Sequence, residues 1–219
     1  MVRKLKKKII VIYGTRPELI KLAPVIKVMR NDKLSLDLMV CSTGQHHEML
    51  KSIESFFEIK PDLQLSFDNE DAPMGKKFSE LLAKIIDIIQ DHKPDKIIVH
   101  GDTLSAVVGA IAAFMSKISI AHIEAGLRTP NRKVPYPEEF NRRTITNVAD
   151  EHFAPTQTAC TNLISEGIPE NSIFLTGNTV IDALKYATHK LSIDKVLNKS
   201  VAASLSKACE FDLVIRDYV

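Results

Sequence analysis

Short apolar runs rich in β-branched residues alternate along the chain with longer segments whose apolar positions recur three and four residues apart. That alternation predicts βαβ units around a parallel sheet. Strands are expected at Ile9 to Tyr13, Leu36 to Cys41, Lys96 to His100, Ile118 to Ile123, His152 to Ala154 and Ile173 to Leu175. Helices are expected near Pro17 to Arg30, His47 to Phe57, Gly75 to Asp91, Leu104 to Met115, Glu138 to Val148, Thr158 to Glu166 and Val180 to His189. A further helical segment follows, and Phe211 to Ile215 reads as a strand. The fold class is α/β, a doubly wound, mainly parallel Rossmann-like sheet. Residues 1–184 read as one domain, and residues 185–219 as a helical linker with the start of a second.

Composition narrows the function classes. Of the 219 residues 45% are hydrophobic and 26% charged, the mixture of a globular chain that can bury a core. Lysine and arginine number 29 against 27 aspartates and glutamates, and a net charge of +2 is too small for a nucleic-acid footprint. The basic residues Arg3 to Lys8 precede an apolar run too short for a signal peptide, and no membrane association is expected. Cys41, Cys160 and Cys209 lack the paired spacing of a zinc site or a redox motif, which fits a reducing cytoplasm.

In open α/β sheets, ligands bind beyond the carboxyl ends of the strands, so the residues after each strand carry the chemistry. Gly14-Thr15-Arg16-Pro17-Glu18 follows the first strand. Thr15 and Glu18 have capping-box spacing and Pro17 suits a first helical turn. Arg16 is not explained by that local structure; with Lys21 it places two cations near a helix N-terminus, a position suited to phosphate, although a solvated arginine fits the spacing equally. The dinucleotide glycine pattern is absent.

Thr43-Gly44-Gln45-His46-His47 follows the second strand and is a weak signal alone. His100-Gly101-Asp102-Thr103 ends the third long strand, where Gly101 permits close approach and Asp102 could cap the next helix. His122-Ile123-Glu124-Ala125-Gly126 ends the fourth, where Glu124 has no comparable capping role; His122 reads as a core or supporting histidine. The irregular stretch from Leu127 to Pro137 leads into Glu138-Glu139-Phe140-Asn141-Arg142-Arg143, in which Glu138 and Arg142 have ion-pair spacing. Convergence is the stronger argument. Asp102, Glu124 and Glu138 around one crevice, faced by Arg16 and Lys21, suit proton transfer beside a phosphorylated leaving group.

The segments GTRPELIK, GQHHEM, HGDT, HIEAGLRT, PEEFNRR and TGNTVIDAL, in this order, resemble the non-hydrolysing UDP-N-acetylglucosamine 2-epimerases from about Ile9 to Leu184. The resemblance implies one half of a glycosyltransferase-B type architecture, with UDP-sugar held between two Rossmann-like halves and no metal or nicotinamide cofactor. It implies interconversion of UDP-N-acetylglucosamine and UDP-N-acetylmannosamine through elimination and re-addition of UDP. Asp102, Glu124 and Glu138 match the family's catalytic carboxylates. Arg16 and Lys21, with Asp102, Glu124 and Arg142, match its substrate site. Gln45 and His46 match positions that in bacterial members help bind a second, activating UDP-N-acetylglucosamine. Family members commonly form homodimers through helices of the first domain, which directs attention to the apolar stripe of Phe78, Leu81, Leu82, Ile85, Ile86 and Ile89.

The family's second domain carries most uridine and diphosphate contacts and a motif of a histidine followed by two arginines and a glutamate, which this sequence lacks. The 219 residues by themselves are therefore expected to be inactive. A non-catalytic or regulatory UDP-sugar-binding half-protein, a 2-epimerase of another UDP-N-acetylated sugar and a glycosyltransferase of similar architecture are the competing readings.

Overall fold

A computed structural model describes residues 6–32, 36–44, 47–69 and 71–209. Gln45, His46 and the expected strand at Phe211 to Ile215 lie outside the described residues. The chain divides into two compact units, Met1–Thr179 and Val180–Val219.

In the first unit the order is β1 (Lys7–Tyr13), α1 (Arg16–Asn31), β2 (Leu36–Ser42), α2 (His47–Phe57), β3 (Leu63–Gln64), α3 (Met74–His92), β4 (Lys96–His100), α4 (Leu104–Met115), β5 (Ser119–Ile123), α5 (Glu138–Val148), β6 (Glu151–Ala154), α6 (Gln157–Ser165) and β7 (Ile173–Leu175), with a 3₁₀ turn at Glu170–Ser172 before β7. The second unit contains α7 (Val180–Ile193) and α8 (Lys195–Cys209). None of the described helices is long and apolar enough to cross a membrane.

The seven strands pair in parallel in the order β3-β2-β1-β4-β5-β6-β7. From β1 the chain winds outward through β2 and β3, then returns through α3 to the other side of β1 and winds outward again. The direction reverses between β1 and β4, and such a switch point opens a crevice at the strands' carboxyl ends. The nearly continuous apolar runs of β1 and β4 follow from burial of both sheet faces. Ile10 and Ile12 of β1 join a core with Leu81, Ile85 and Ile89 of α3, the alanines of α4 and Ile145 of α5. By strand alternation Val11 and Tyr13, both fully buried, point to the opposite face. Around α6 a smaller cluster holds Ala125, Ala154, Ala159, Cys160 and Leu163.

The stripe on α3 is largely absorbed by its own sheet. Leu81, Ile85 and Ile89 are buried, while Phe78, Leu82 and Ile86 are only partly covered.

Candidate active site

Three strand ends build the site. β1 hands over to α1 through Gly14 and Thr15, β4 to α4 through Gly101-Asp102-Thr103, and Glu124 directly follows β5. A cavity of about 400 Å³ at the switch point is lined by Thr15, Arg16, Pro17, Glu18, Lys21, His100, Gly101, Asp102, Thr103 and Glu124. The structure thus brings together Arg16, Lys21, Asp102 and Glu124, as the strand-end pattern predicts.

Two loops of this crevice are tied by a residue whose reach the sequence did not disclose. The expected capping geometry forms: the Glu18 carboxylate accepts from the backbone N–H of Thr15 at 2.8 Å and of Gly14 at 2.9 Å, and from the Thr15 hydroxyl at 2.9 Å. Its other oxygen accepts from the Thr103 hydroxyl at 2.7 Å, clamping α1 to the start of α4. Burial raises the Glu18 pKa, and the four donors oppose that rise. Thr103, rather than Asp102, caps α4, its hydroxyl accepting from the Ala106 N–H at 3.1 Å. Asp102 therefore has no capping role to explain it.

Asp102 instead meets Arg142 of α5, with Nη1 2.5 Å from Oδ2. Asn141 Nδ2 also donates to the Asp102 carbonyl at 2.8 Å. Burial raises the Asp102 pKa; the Arg142 charge works against the rise, while the Glu124 and Glu138 charges add to it.

The Glu138–Arg142 spacing does not produce a pair. Arg142 Nε binds the neighbouring carboxylate, Glu139 Oε2, at 3.0 Å, and Arg143 Nε binds Glu139 Oε1 at 2.8 Å. Glu139 also accepts from the Thr129 N–H at 3.0 Å, anchoring the preceding loop to α5. Glu138 does not line the cavity. Its Oε2 is buried without a hydrogen-bond partner, and its charge acts on Asp102. Adjacent glutamates thus have different tasks, one structural and one uncommitted.

Glu124 sits at φ +64°, in the left-handed region that costs a non-glycine residue roughly 1 kcal/mol or more. That backbone directs its carboxylate to Lys21 Nζ, 2.5 Å from Oε1, and to Asn178 Nδ2, which donates to the same oxygen at 3.1 Å. Asn178 belongs to the TGNT segment, whose role no local pattern indicates. His100 Nε2 stands 3.8 Å from Glu124 Oε2. Gly101, at φ +65°, would bring a Cβ to 3.6 Å from that oxygen. The fully buried His122 binds the Gly101 carbonyl through Nε2 at 2.7 Å, and burial depresses its pKa to about 3, so it supports the loop as an uncharged ring. The expectation of a core or supporting role holds.

A doubly wound sheet whose switch-point cavity gathers Arg16, Lys21, Glu18, Asp102 and Glu124 defines a Rossmann-like domain. The family model for UDP-N-acetylglucosamine 2-epimerase matches residues 27–214, and the chain belongs to that family. The UDP-N-acetylglucosamine 2-epimerase of Campylobacter jejuni is 47% identical over 199 residues, covering 91% of this chain and 52% of the relative. That of Neisseria meningitidis is 43% identical over 189 residues, covering 86% of this chain and 50% of the relative. Among solved structures, the N. meningitidis UDP-GlcNAc 2-epimerase bound to UDP-GlcNAc superposes with a TM-score of 0.84 at 42% identity, over 88% of this chain and 52% of that one. The Methanocaldococcus jannaschii enzyme in complex with UDP-GlcNAc and UDP gives 0.81 at 34% identity, again over 88% and 52%. The fold is that of one half of these enzymes. The chain spans about half the length of the curated relatives it matches.

Proposed function

We propose that this crevice is the carboxylate-bearing side of a site that interconverts UDP-N-acetylglucosamine and UDP-N-acetylmannosamine by inversion at C2, with residues 1–184 as the domain that supplies it. The observation that carries the reading is the meeting of Asp102 and Glu124 with Arg16 and Lys21 at the switch point, in a chain that belongs to an epimerase family.

The chemistry explains the residue types. The C2 proton of an N-acetylhexosamine is not adjacent to a carbonyl carbon of the ring, so enolisation is closed to it. Removing that proton while UDP leaves C1 gives a glycal-type intermediate. Re-addition of UDP, with a proton delivered to the opposite face of C2, gives the epimer. Groups able to hold and release a proton are needed on both faces. The raised pKa of Asp102 suits a group that carries a proton nearer neutral pH, and Glu124, ion-paired in the crevice, suits an acceptor. Glu138 lies outside the cavity lining, but its charge reaches Asp102 and one of its buried oxygens is uncommitted, which supports it as the third carboxylate. Arg16 and Lys21 attract the diphosphate, which is the charge that grows as the C1–O bond breaks. Arg142 reaches the substrate region through Asp102.

UDP-N-acetylglucosamine and UDP are accordingly the proposed ligands and the cytoplasm the proposed compartment. A homodimer through the part of α3 left uncovered by its own core is the proposed assembly; a single-chain mass by sedimentation would count against it. The 219 residues by themselves are not expected to turn over, because groups from a second half are needed to position the sugar and lost positioning removes orders of magnitude in rate. NMR detection of UDP-N-acetylmannosamine from UDP-N-acetylglucosamine, with the chain extended to the length of its relatives, tests the reading. An extended, folded protein that binds UDP and forms no epimer would favour the non-catalytic sugar-nucleotide-binding alternative.

A further inference from the structure

Within the crevice one polar group is left without a task. His100, the last residue of β4, is only 3% exposed, and its Nε2 is buried with no hydrogen-bond partner. His122 Nδ1 and His152 Nδ1 are also buried without a partner, but of the three rings it is that of His100 that lines the cavity. The ring lines the cavity, 3.8 Å from Glu124 Oε2, while both short contacts to Glu124, from Lys21 and Asn178, fall on Oε1. A displacement of about 1 Å would bring Nε2 into ordinary hydrogen-bonding range of the free side of that carboxylate.

Lys21 cannot serve two anions equally. In the proposed reaction it is drawn to the diphosphate, and each step it takes toward that charge weakens its hold on Glu124. We infer that His100 is a positioning residue for Glu124, its Nε2–H being the donor that keeps the carboxylate in place when Lys21 turns to an anionic ligand. The inference rests on the reading of Glu124 as a proton acceptor and adds the group that holds it. The charged and titratable groups facing the imidazole are Glu124 just after β5, Lys21 from α1 and His122 from β5. Burial, reinforced by the Lys21 charge and opposed by Glu124, depresses the His100 pKa to about 4. At neutral pH the ring is therefore uncharged, and donation to Glu124 requires its one proton to sit on Nε2. Exchanging a cation for a neutral donor leaves Glu124 held in position without its ion pair and open to a substrate proton. Ligand arrival and activation of the base become one event.

The test needs no sugar nucleotide, so its outcome is separable from that of the epimerisation assay. In the 219-residue protein, Lys21→Met mimics withdrawal of the lysine. The imidazole resonances of the 15N-labelled protein are assigned through His100→Gln and read at neutral pH. The expected result is a protonated Nε2 whose proton moves downfield in Lys21→Met and returns upfield in Lys21→Met/Glu124→Met. An unprotonated Nε2 in Lys21→Met, or a resonance indifferent to the Glu124 carboxylate, overturns the inference. Should the double variant fail to fold, Lys21→Met/Glu124→Gln takes its place, with the Nε2 proton expected to return upfield because the charged acceptor is gone; a resonance unmoved by that change overturns the inference.

Discussion

Glu139→Gln removes a buried charge shared by two arginines. The Glu139 side chain is 0% exposed and binds Arg142, Arg143 and the Thr129 N–H. Burial by itself would raise its pKa, but the Thr129 hydrogen bond and the two guanidinium groups outweigh burial and hold it below the ordinary glutamate value of 4.5. Breaking a buried pair by neutralising one partner costs about 3–5 kcal/mol. The lower end applies here, because Arg142 keeps Asp102 and Arg143 keeps Glu166 at 3.0 Å. A loss of about 3 kcal/mol corresponds to a drop of roughly 6–12 °C in Tm for a chain of this size. The sign of the pH dependence follows from the depressed pKa: the carboxylate's stabilisation is fully present above pH 4.5 and fades as pH falls through the lower folded-state value. Urea unfolding followed by circular dichroism should therefore show a gap between the two proteins at pH 7 that narrows below pH 4. A gap under about 0.5 kcal/mol at pH 7, the range of ordinary surface substitutions, or one that persists unchanged into acid, would refute the assignment.

Three further substitutions probe contacts elsewhere in the domain. Arg142→Met should move the carboxyl titration of Asp102, already above its ordinary value of 3.8, further up, since it removes the main opposing charge; a midpoint that stays or falls, read by 13C NMR, would show that the pair does not form in solution. Gly126→Ala should cost several kcal/mol, because φ is +84° and the new Cβ would lie 2.3 Å from the Ala159 carbonyl oxygen; a Tm within a few degrees of the parent protein's would mean the loop yields freely. Thr103→Val should lose about 1–2 kcal/mol by removing both the α4 cap and a donor to buried Glu18, whereas unchanged urea stability would show the two loops to be independent.

Much of the architecture was legible because apolar periodicity is local. The helices at His47–Phe57, Leu104–Met115 and Glu138–Val148 and the strands at Lys96–His100 and Ile173–Leu175 have the expected bounds, and most other ends differ by one or two residues. Leu63–Gln64 escaped detection because two residues cannot display a period; that strand exists through pairing with Cys41 and Ser42. The same division governs the site. Strand-end polarity pointed to Arg16, Lys21, Asp102 and Glu124, since the rule that crevices lie beyond strand ends needs only the strands. Pairing could not be read that way. Helical spacing favoured Glu138 as the partner of Arg142, yet the arginine chose Glu139 and Asp102, the latter forty residues away in sequence. Glu18 was legible as a capping residue and opaque as a clamp, because Thr103 approaches it only after β1 and β4 pair. His100 and Asn178 carried no local signal: their relation to Glu124 is made entirely by the fold.

In the proposed reaction Asp102 and Glu124 at the switch point, with Glu138 beside Asp102, exchange the C2 proton of a UDP-N-acetylhexosamine. The direct measurement is deuterium incorporation at C2, followed by NMR, when UDP-N-acetylglucosamine is incubated in deuterated water with the chain extended to the length of its relatives and with its Asp102→Asn, Glu124→Gln and Glu138→Gln variants. Incorporation by the extended parent protein, with losses of about 10²-fold or more in each folded variant, is the predicted result. No incorporation by the extended protein, or undiminished incorporation in all three variants, would contradict it.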